Sequence, residues 1–171
     1  MSPEMNRREF LSGAAAAAAT FTIVPRRVLG GAGFVAPSDK VNVAIVGAGG
    51  QGRTNALNLF QEKDAQIIAV CDVAEKTDLS GFYYGGSGGR ETVKAMVEEH
   101  YGQATPGCPC AAYEDFRVML EKEKEIDAVL CATPDHAHAV VAVTAMKLGK
   151  HVYCEKPLAH NVWEVRQVAQ V

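Results

Sequence analysis

The sequence has little net charge, few aromatic residues and no internal repeat. A net charge of −3 over 171 residues gives no electrostatic reason to expect a nucleic acid or an anionic membrane as the partner. Aromatic residues make up 7% of the chain while glycine occurs 16 times, which favours an α/β domain with tight turns over a β-sandwich. The hydrophobic content of 48% suits the core of one globular domain.

Long hydrophobic runs are also missing, and the run near the N-terminus is short. Arg7 and Arg8 precede an Ala-rich run over residues 13–24, shorter than the ~20 residues that span a bilayer. Such a run behind two arginines is typical of a twin-arginine signal peptide, although a disordered basic leader or an uncleaved anchor would share these features. We expect residues 1–35 to be a signal peptide and linker, cleaved within residues 29–36. The twin-arginine machinery would then export the protein to the periplasm or beyond.

The five cysteines do not complete a metal site. Cys71, Cys131 and Cys154 each lie in or at the end of an apolar run, which predicts buried and unreactive thiols. Cys108 and Cys110 lie in a loop with Gly and Pro, where they could hold a metal or form a strained disulfide. No His or second Cys pair accompanies them, so we predict no metal there.

Apolar strands alternate with helices from residue 41 onward. Continuous apolar segments predict strands at residues 41–46, 66–71, 126–132 and 151–154. Apolar periodicity predicts helices at residues 51–60, 91–101, 113–122 and 133–148. Thr133 is expected to cap the last of these, with Pro134 at its first position, and the glycine-rich residues 81–89 predict a flexible loop. This alternation predicts a mostly parallel sheet that helices cover on both faces.

The last segment carries an apolar stripe. Val162, Val165, Val168 and Val171 recur at helical spacing and predict an amphipathic helix with no stop signal before the chain ends. We expect this stripe to be covered by a second domain that the chain lacks.

The segment GAGGQG, residues 47–52, joins the first strand to the first helix. Gly47 permits a tight turn, Gly49 lets the backbone approach a pyrophosphate, and Gly52 allows close packing of the helix. Backbone N–H groups at the helix start, at Gly50 and Gln51, would hold the phosphates. The pattern predicts a doubly wound α/β domain of the Rossmann type over residues 36–171, and a glycine-rich turn that binds nothing is the alternative.

Asp72 ends the second strand, about 20 residues after Gly52, the spacing of a ribose-binding acid. A carboxylate there can accept both hydroxyl protons of the adenosine ribose and would repel a 2′-phosphate. Arg53 is the dissenting residue, because it could accommodate that phosphate, although it could equally bind the pyrophosphate. We predict NAD as the cofactor, with NADP as the alternative.

Two further polar motifs follow the later strands. TPDHAH, residues 133–138, comes after the third predicted strand, and EKP, residues 155–157, after the fourth. In a parallel sheet both motifs would reach the edge where such sheets bind ligands. Taken alone, His138 would be a surface histidine of the helix. A zinc site with His136 is not expected, because residues two apart on a helix face different ways.

GAGGQG, TPDHAH and CEKPLA, in this order and spacing, resemble the Gfo/Idh/MocA family, relatives of glucose–fructose oxidoreductase and inositol dehydrogenase. The resemblance runs from Lys40 to the end of the chain. It implies a Rossmann domain followed by an α/β domain whose open sheet covers the substrate and joins subunits into a homo-oligomer. The family's other catalytic groups, usually an Asp and a His, belong to that second domain and have no counterpart in this sequence.

The resemblance also implies a role for each motif residue. Lys156 matches the family lysine beside the nicotinamide and the substrate hydroxyl, where it would assist proton transfer. Glu155 would contact the nicotinamide ribose or position the lysine, and Pro157 would stiffen the turn, with a cis peptide bond in similar proteins. The remaining residues would line or support the cofactor crevice: Thr133, Pro134 and His138.

These motifs predict an NAD(P)-dependent oxidoreductase that takes hydride from a secondary hydroxyl of a sugar, a cyclitol or a related polyol. The alternative is an exported glycosidase that uses retained NAD to oxidise a sugar transiently and eliminate its substituent. A third interpretation is a nucleotide-binding fragment without catalytic activity.

Overall fold

The computed structural model describes residue 31 and residues 35–103 and 109–171. The predicted twin-arginine segment and Cys108 therefore lie outside the described residues. The chain divides into two compact units, Met1–Ser38 and Asp39–Val171, and every strand and helix of the sheet domain belongs to the second. No helix in the described part of the chain is long and apolar enough to cross a membrane.

A five-stranded parallel sheet forms the centre of the second unit, in the order β5–β2–β1–β6–β7. Its strands are β1 (Val41–Val46), β2 (Ala65–Cys71), β5 (Ala111–Tyr113), β6 (Ala128–Cys131) and β7 (His151–Cys154). A short antiparallel pair, β3 (Thr77–Asp78) and β4 (Ser87–Gly88), lies outside this sheet. The chain order reverses between β1 and β6, and ligands of open α/β sheets bind at such a reversal.

Five helices connect or follow these strands: α1 (Gly50–Leu59), α2 (Arg90–Gly102), α3 (Phe116–Lys122), α4 (Asp135–Lys147) and α5 (Val162–Gln170). Alternate residues of β1 enter two separate cores, because successive side chains of a strand point to opposite faces. Val43 and Ile45 pack with apolar residues of α1 and α2, while Ala44 and Val46 pack with those of α3 and α4. Helices therefore cover both faces, and the predicted doubly wound fold is confirmed.

The structure differs from the sequence prediction at three connections. The helix predicted from residue 113 begins at Phe116, because Ala111–Tyr113 pairs with β2 and Asp115 caps the helix by accepting from the N–H of Arg117. The strand predicted at residues 126–132 is limited to Ala128–Cys131. The predicted loop at residues 81–89 contains β4 and is anchored to its surroundings.

The C-terminal helix α5 has the predicted amphipathic sequence, and none of its residues is buried. Among its apolar residues, Val162 and Trp163 are each 67% exposed. The helix begins after Asn161, whose side chain accepts from the N–H of Glu164.

Candidate functional site

The glycine turn connects the carboxyl end of β1 to α1. Gly47 has a φ of +91°, and a Cβ there would lie 2.6 Å from backbone atoms of Ala132 and Thr133. A Cβ on Gly52 would lie 1.8 Å from the carbonyl oxygen of Gly47, so the helix packs directly on the turn. No atom of the described residues lies within 4 Å of the Cβ position of Gly49. A side chain would therefore overlap the protein at Gly47 and Gly52, whereas the position at Gly49 has free space beside it.

The start of α1 suits an anionic group. Gly49 is the N-cap residue and offers no side-chain acceptor to the first N–H groups of the helix. Such N–H groups lack partners within the helix and carry the positive end of its dipole. Together with the open position at Gly49, they fit the pyrophosphate of a dinucleotide.

Asp72 lies beside this turn at the end of β2. Its Oδ2 accepts from the N–H of Ala48 at 2.7 Å, and its Oδ1 accepts from the N–H of Ala74 at 2.8 Å. A carboxylate has about four acceptor positions, so these two bonds leave room for further donors such as ribose hydroxyls. The side chain thus braces the turn and can still accept hydrogen bonds from a ligand.

A crevice of about 620 Å³ opens next to Asp72, and Gly47, Thr133 and Pro134 form part of its wall. The segment after β5 also lines the crevice, through Glu114, Asp115 and Arg117. The guanidinium and N–H of Arg117 hydrogen-bond Asp115 and hold the pKa of that carboxyl down at about 2. Asp72 and Glu114 contribute carboxylates to this crevice, while the charge of Asp115 is paired with Arg117.

The Thr133–Pro134 segment leads from β6 into α4. The predicted cap at Thr133 is wrong, because Pro134 is the N-cap residue and Asp135 is the first residue of the helix. Pro134 has the extended ψ of 153°, so the helix starts one residue later than predicted. The Oγ1 of Thr133 lies 3.4 Å from the Sγ of Cys131 instead.

His138 is buried, with 1% of its surface exposed, so its interpretation as a surface residue is wrong. Its Nε2 lies 2.7 Å from the carbonyl oxygen of Thr133, and its Nδ1 lies 2.5 Å from that of Pro157. A neutral imidazole can donate to one of these carbonyls, and a doubly protonated one can donate to both. The ring therefore connects the two motif segments.

The EKP turn follows β7, and the Lys156–Pro157 peptide bond is cis. The Oε1 of Glu155 accepts from the Nε2 of Gln51 at 3.2 Å and from the Nδ2 of Asn55 at 2.8 Å. Both donors lie on α1, one helical turn apart, so the phosphate-binding helix holds this turn directly. The side chain of Lys156 is exposed next to these contacts.

Two arginines near the site are engaged by backbone carbonyls. The guanidinium of Arg53 donates to the carbonyl oxygens of Tyr84, Gly85 and Ser87 at 2.8–3.0 Å. The guanidinium of Arg90 donates to those of Asp72 and Val73. In this structure Arg53 anchors the loop at residues 79–89, and its predicted contact with a cofactor stays a prediction.

Two of the predicted inert thiols, Cys71 and Cys131, are buried, and Cys154 is half-buried. Burial, together with nearby Asp72, raises the pKa of Cys71 to about 12, and burial with the adjacent Cys131 does the same for Cys154. The ligating atoms of Cys131, Cys154 and His138 lie within 4.8 Å of one another. Both nitrogens of His138 face carbonyl oxygens, so its ring is committed to holding the two turns.

Sequence reasoning missed several residues that the structure places at the site. Asn55 could have been found from its position four residues after Gln51, which puts both side chains on one face of α1. Tyr84 donates its hydroxyl to the Oε1 of Gln51 at 3.1 Å, and no short-range pattern in a glycine-rich loop predicts such a contact. Glu114 and Asp115 were missed because the helix was predicted from residue 113, whereas both residues lie between β5 and α3.

Comparison with known proteins agrees with this geometry. Residues 41–171 match the Gfo/Idh/MocA family, described as an oxidoreductase family with an NAD-binding Rossmann fold. The chain is 30% identical to an inositol 2-dehydrogenase of Rubrobacter xylanophilus over 78% of its own length and 32% of that protein. It is 29% identical to glycosyl hydrolase family 109 protein 1 of Akkermansia muciniphila, over 80% and 26% of the two chains. The chain thus spans about a third or less of these relatives.

Solved structures show the same fold. The myo-inositol dehydrogenase of Lactobacillus casei, solved in complex with NAD(H) and myo-inositol, matches 77% of this chain and 32% of its own, with a TM-score of 0.58 and 23% identity. The WlbA dehydrogenase of Chromobactrium violaceum, solved in complex with NADH and UDP-GlcNAcA, matches the same shares of the two chains, with a TM-score of 0.57 and 20% identity. With its glycine turn, its strand order and the family match over residues 41–171, the chain belongs to the Gfo/Idh/MocA oxidoreductase family and forms its NAD-binding Rossmann domain.

Proposed function

We propose that the full-length protein is an NAD-dependent dehydrogenase of a secondary hydroxyl on a sugar, a cyclitol or a related polyol. The observation that carries the proposal is the pair of hydrogen bonds from Gln51 and Asn55 to Glu155. They fix the EKP turn, which carries Lys156, against the helix that starts at the phosphate-binding turn. A proton-accepting amine and a dinucleotide site thereby share one edge of the sheet.

The proposed cofactor site consists of the glycine turn and the crevice beside it. Gly47, Gly49 and Gly52 shape the turn, and the N–H groups of Gly50 and Gln51 receive the pyrophosphate. Asp72 receives the hydroxyls of the adenosine ribose, while Thr133 and Pro134 line the crevice. The carboxylate of Asp72 supports NAD rather than NADP, because a 2′-phosphate at the adenosine ribose would meet its negative charge, and Glu114 adds a second carboxylate to the crevice.

Lys156 assists removal of the hydroxyl proton. When bound, NAD supplies the hydride acceptor for the alcohol carbon. In its neutral amine form, Lys156 would take the hydroxyl proton and become an ammonium, while the alcohol carbon becomes a better hydride donor. Glu155 holds the turn in place, and His138 fixes its far side through the carbonyl of Pro157.

We also propose that the protein is exported by the twin-arginine machinery. The support is the leader sequence, with Arg7 and Arg8 before a weakly apolar run. This route transports folded proteins, so the cofactor would be loaded before export. Fusion of residues 1–40 to a reporter tests this, because replacing both arginines by lysine should retain the reporter in the cytoplasm.

The second candidate is an exported glycosidase with a transient oxidation step. It is favoured by the match to glycosyl hydrolase family 109 proteins in addition to inositol dehydrogenases. In such a cycle the hydride returns to the sugar, so glycoside is cleaved without net formation of NADH.

One assay of the full-length protein separates these functions. It is incubated with NAD and either free polyols and sugars or aryl glycosides, and both NADH and released aglycone are measured. Stoichiometric NADH supports the dehydrogenase, and aglycone without NADH supports the glycosidase. Binding of NAD without either product supports a binding module.

Lys156→Met should lower kcat at least about 100-fold with little change in the Kd for NAD. Lys147→Met, at the exposed end of α4, is the matched control.

A further inference from the structure

The segment at residues 79–89, here called the strap, lies against the outer side of the glycine turn. It is folded on itself: the N–H of Leu79 donates to the carbonyl of Gly86 at 2.7 Å, and the side chain of Leu79 is buried. The C-terminal end of the strap is hydrogen-bonded to the glycine turn, because the N–H of Gly89 donates to the carbonyl of Ala48 at 2.8 Å. The strap is therefore a defined part of the site.

The tip of the strap lies on the first turn of α1. A Cβ on Gly50 would lie 2.1–2.7 Å from three atoms of the Tyr84 side chain, so this ring rests directly on the helix backbone. The hydroxyl of Tyr84 donates to Gln51, whose amide in turn donates to Glu155. The ring thus forms one wall beside the N–H groups assigned to the pyrophosphate.

Arg53 is the tether of the strap. Its guanidinium donates to three carbonyls of the tip, those of Tyr84, Gly85 and Ser87. These carbonyls converge because Gly85 and Gly86 have φ values of +58° and +69°, a conformation that other residues rarely adopt. A guanidinium has five N–H donors in a fixed fork, so three bonds to the strap fix its orientation.

We propose that the strap retains the bound dinucleotide, and that Arg53 and Tyr84 are positioning residues that act through it. This inference rests on the proposed NAD site. Since the strap closes one side of the phosphate-binding turn, a bound pyrophosphate leaves readily only after the tip has moved from α1. Retention would suit a protein that works where free NAD is scarce.

The test measures the dissociation rate of NADH from the full-length protein by rapid mixing with excess NAD. Arg53→Ala and Tyr84→Ala should each raise this rate about tenfold or more while the association rate changes less than about threefold. The double variant should release NADH no faster than the faster single variant, since both act through one element. Arg166→Ala, an exposed arginine on α5, is the control, and thermal unfolding verifies the fold of each variant.

Hydrogen exchange gives a readout that is independent of the rate. NAD should slow exchange of the strap amides, including those of Gly85 and Gly89, in the wild type but not in Arg53→Ala. If the effects of the two substitutions on the dissociation rate are additive in the double variant, Arg53 acts on the phosphate directly and the proposal is wrong. The proposal is also wrong if both single variants release NADH at the wild-type rate. If the wild-type protein binds no NADH, both the proposed NAD site and the proposed role of the strap are wrong. If it binds NADH but the variants release it at the wild-type rate, only the role of the strap is wrong.

Discussion

Replacing Gly49 by alanine should weaken NAD binding without weakening the fold. Gly49 has a φ of −74° and a ψ of −151°, so alanine needs no left-handed backbone there, and no atom of the described residues beyond its chain neighbours lies within 4 Å of its Cβ position. Restricting the unfolded chain contributes about 0.4–1 kcal/mol of stability, but glycine is preferred over alanine at an N-cap, so the free energy of unfolding should change by less than about 1 kcal/mol. A methyl group at this position would occupy the space through which the pyrophosphate approaches the backbone.

The loss of affinity can be sized from the bonds that the methyl group obstructs. A hydrogen bond from a backbone N–H to a charged phosphate contributes about 1.5–3 kcal/mol. Weakening one or two of them costs roughly 2–4 kcal/mol of binding free energy, which raises the Kd for NAD by roughly 30- to 700-fold. The Kd is measured by calorimetry on the full-length protein.

Gly47→Ala provides the contrast, since the same methyl group is added two residues earlier. At a φ of +91°, with backbone atoms 2.6 Å from the new Cβ, alanine should cost roughly 2–5 kcal/mol of unfolding free energy from backbone strain and overlap. Urea unfolding without NAD measures it. The reasoning is refuted if Gly49→Ala destabilises the apo protein as much as Gly47→Ala does, or if its Kd for NAD stays within about twofold of wild type.

Three further predictions follow from other contacts. Asp72→Ala removes an acceptor from the N–H groups of Ala48 and Ala74, so calorimetry should show at least about tenfold weaker NAD binding and a smaller preference over NADP. His138→Ala leaves two carbonyls without their partner, and urea unfolding should show a loss of roughly 2–4 kcal/mol; His138→Gln should restore part of it. The pKa values of Cys71 and Cys154 are raised to about 12 in the folded state, so the unfolded chain loses these protons first. The free energy of unfolding should therefore fall as pH rises from about 9 towards 12, and a Cys71→Ser, Cys154→Ser variant should show a shallower fall.

The sequence predicted the three central strands because β1, β2 and β6 are continuous apolar segments that are largely buried between the helices. The observed bounds of β1 (Val41–Val46) and β2 (Ala65–Cys71) lie within one residue of the predicted ones, because both segments are apolar and largely buried. The polar residues at the strand ends were found for the same reason: parallel strands bring their carboxyl ends to one edge. The position of His138 was missed, because a helix periodicity does not reveal which carbonyls lie opposite a ring in the folded chain.

The contacts of the glycine-rich strap could not be predicted from local sequence patterns. Residues 81–89 have the composition of a flexible loop, and no spacing within them points to Arg53, about 30 residues earlier in the chain. The contacts arise from tertiary structure: carbonyls that left-handed glycines turn outward meet a guanidinium on α1. The sequence position of Arg53 pointed to the cofactor, which stays a prediction, and gave no sign of its contacts with the loop.

The first helix connects the parts of the site that the motifs describe separately. The start of α1 carries the N–H groups proposed to bind the pyrophosphate, and the side chains of Gln51 and Asn55 on this helix hold Glu155 on the EKP turn. Gln51 also accepts from Tyr84, so the strap, the helix and the turn of Lys156 form one hydrogen-bonded chain. A movement of the strap would therefore remove one of the contacts of Gln51, and through Gln51 it would reach the carboxylate of Glu155, next to Lys156. Under the proposed function, retention of the cofactor and placement of the proton acceptor would both depend on this helix.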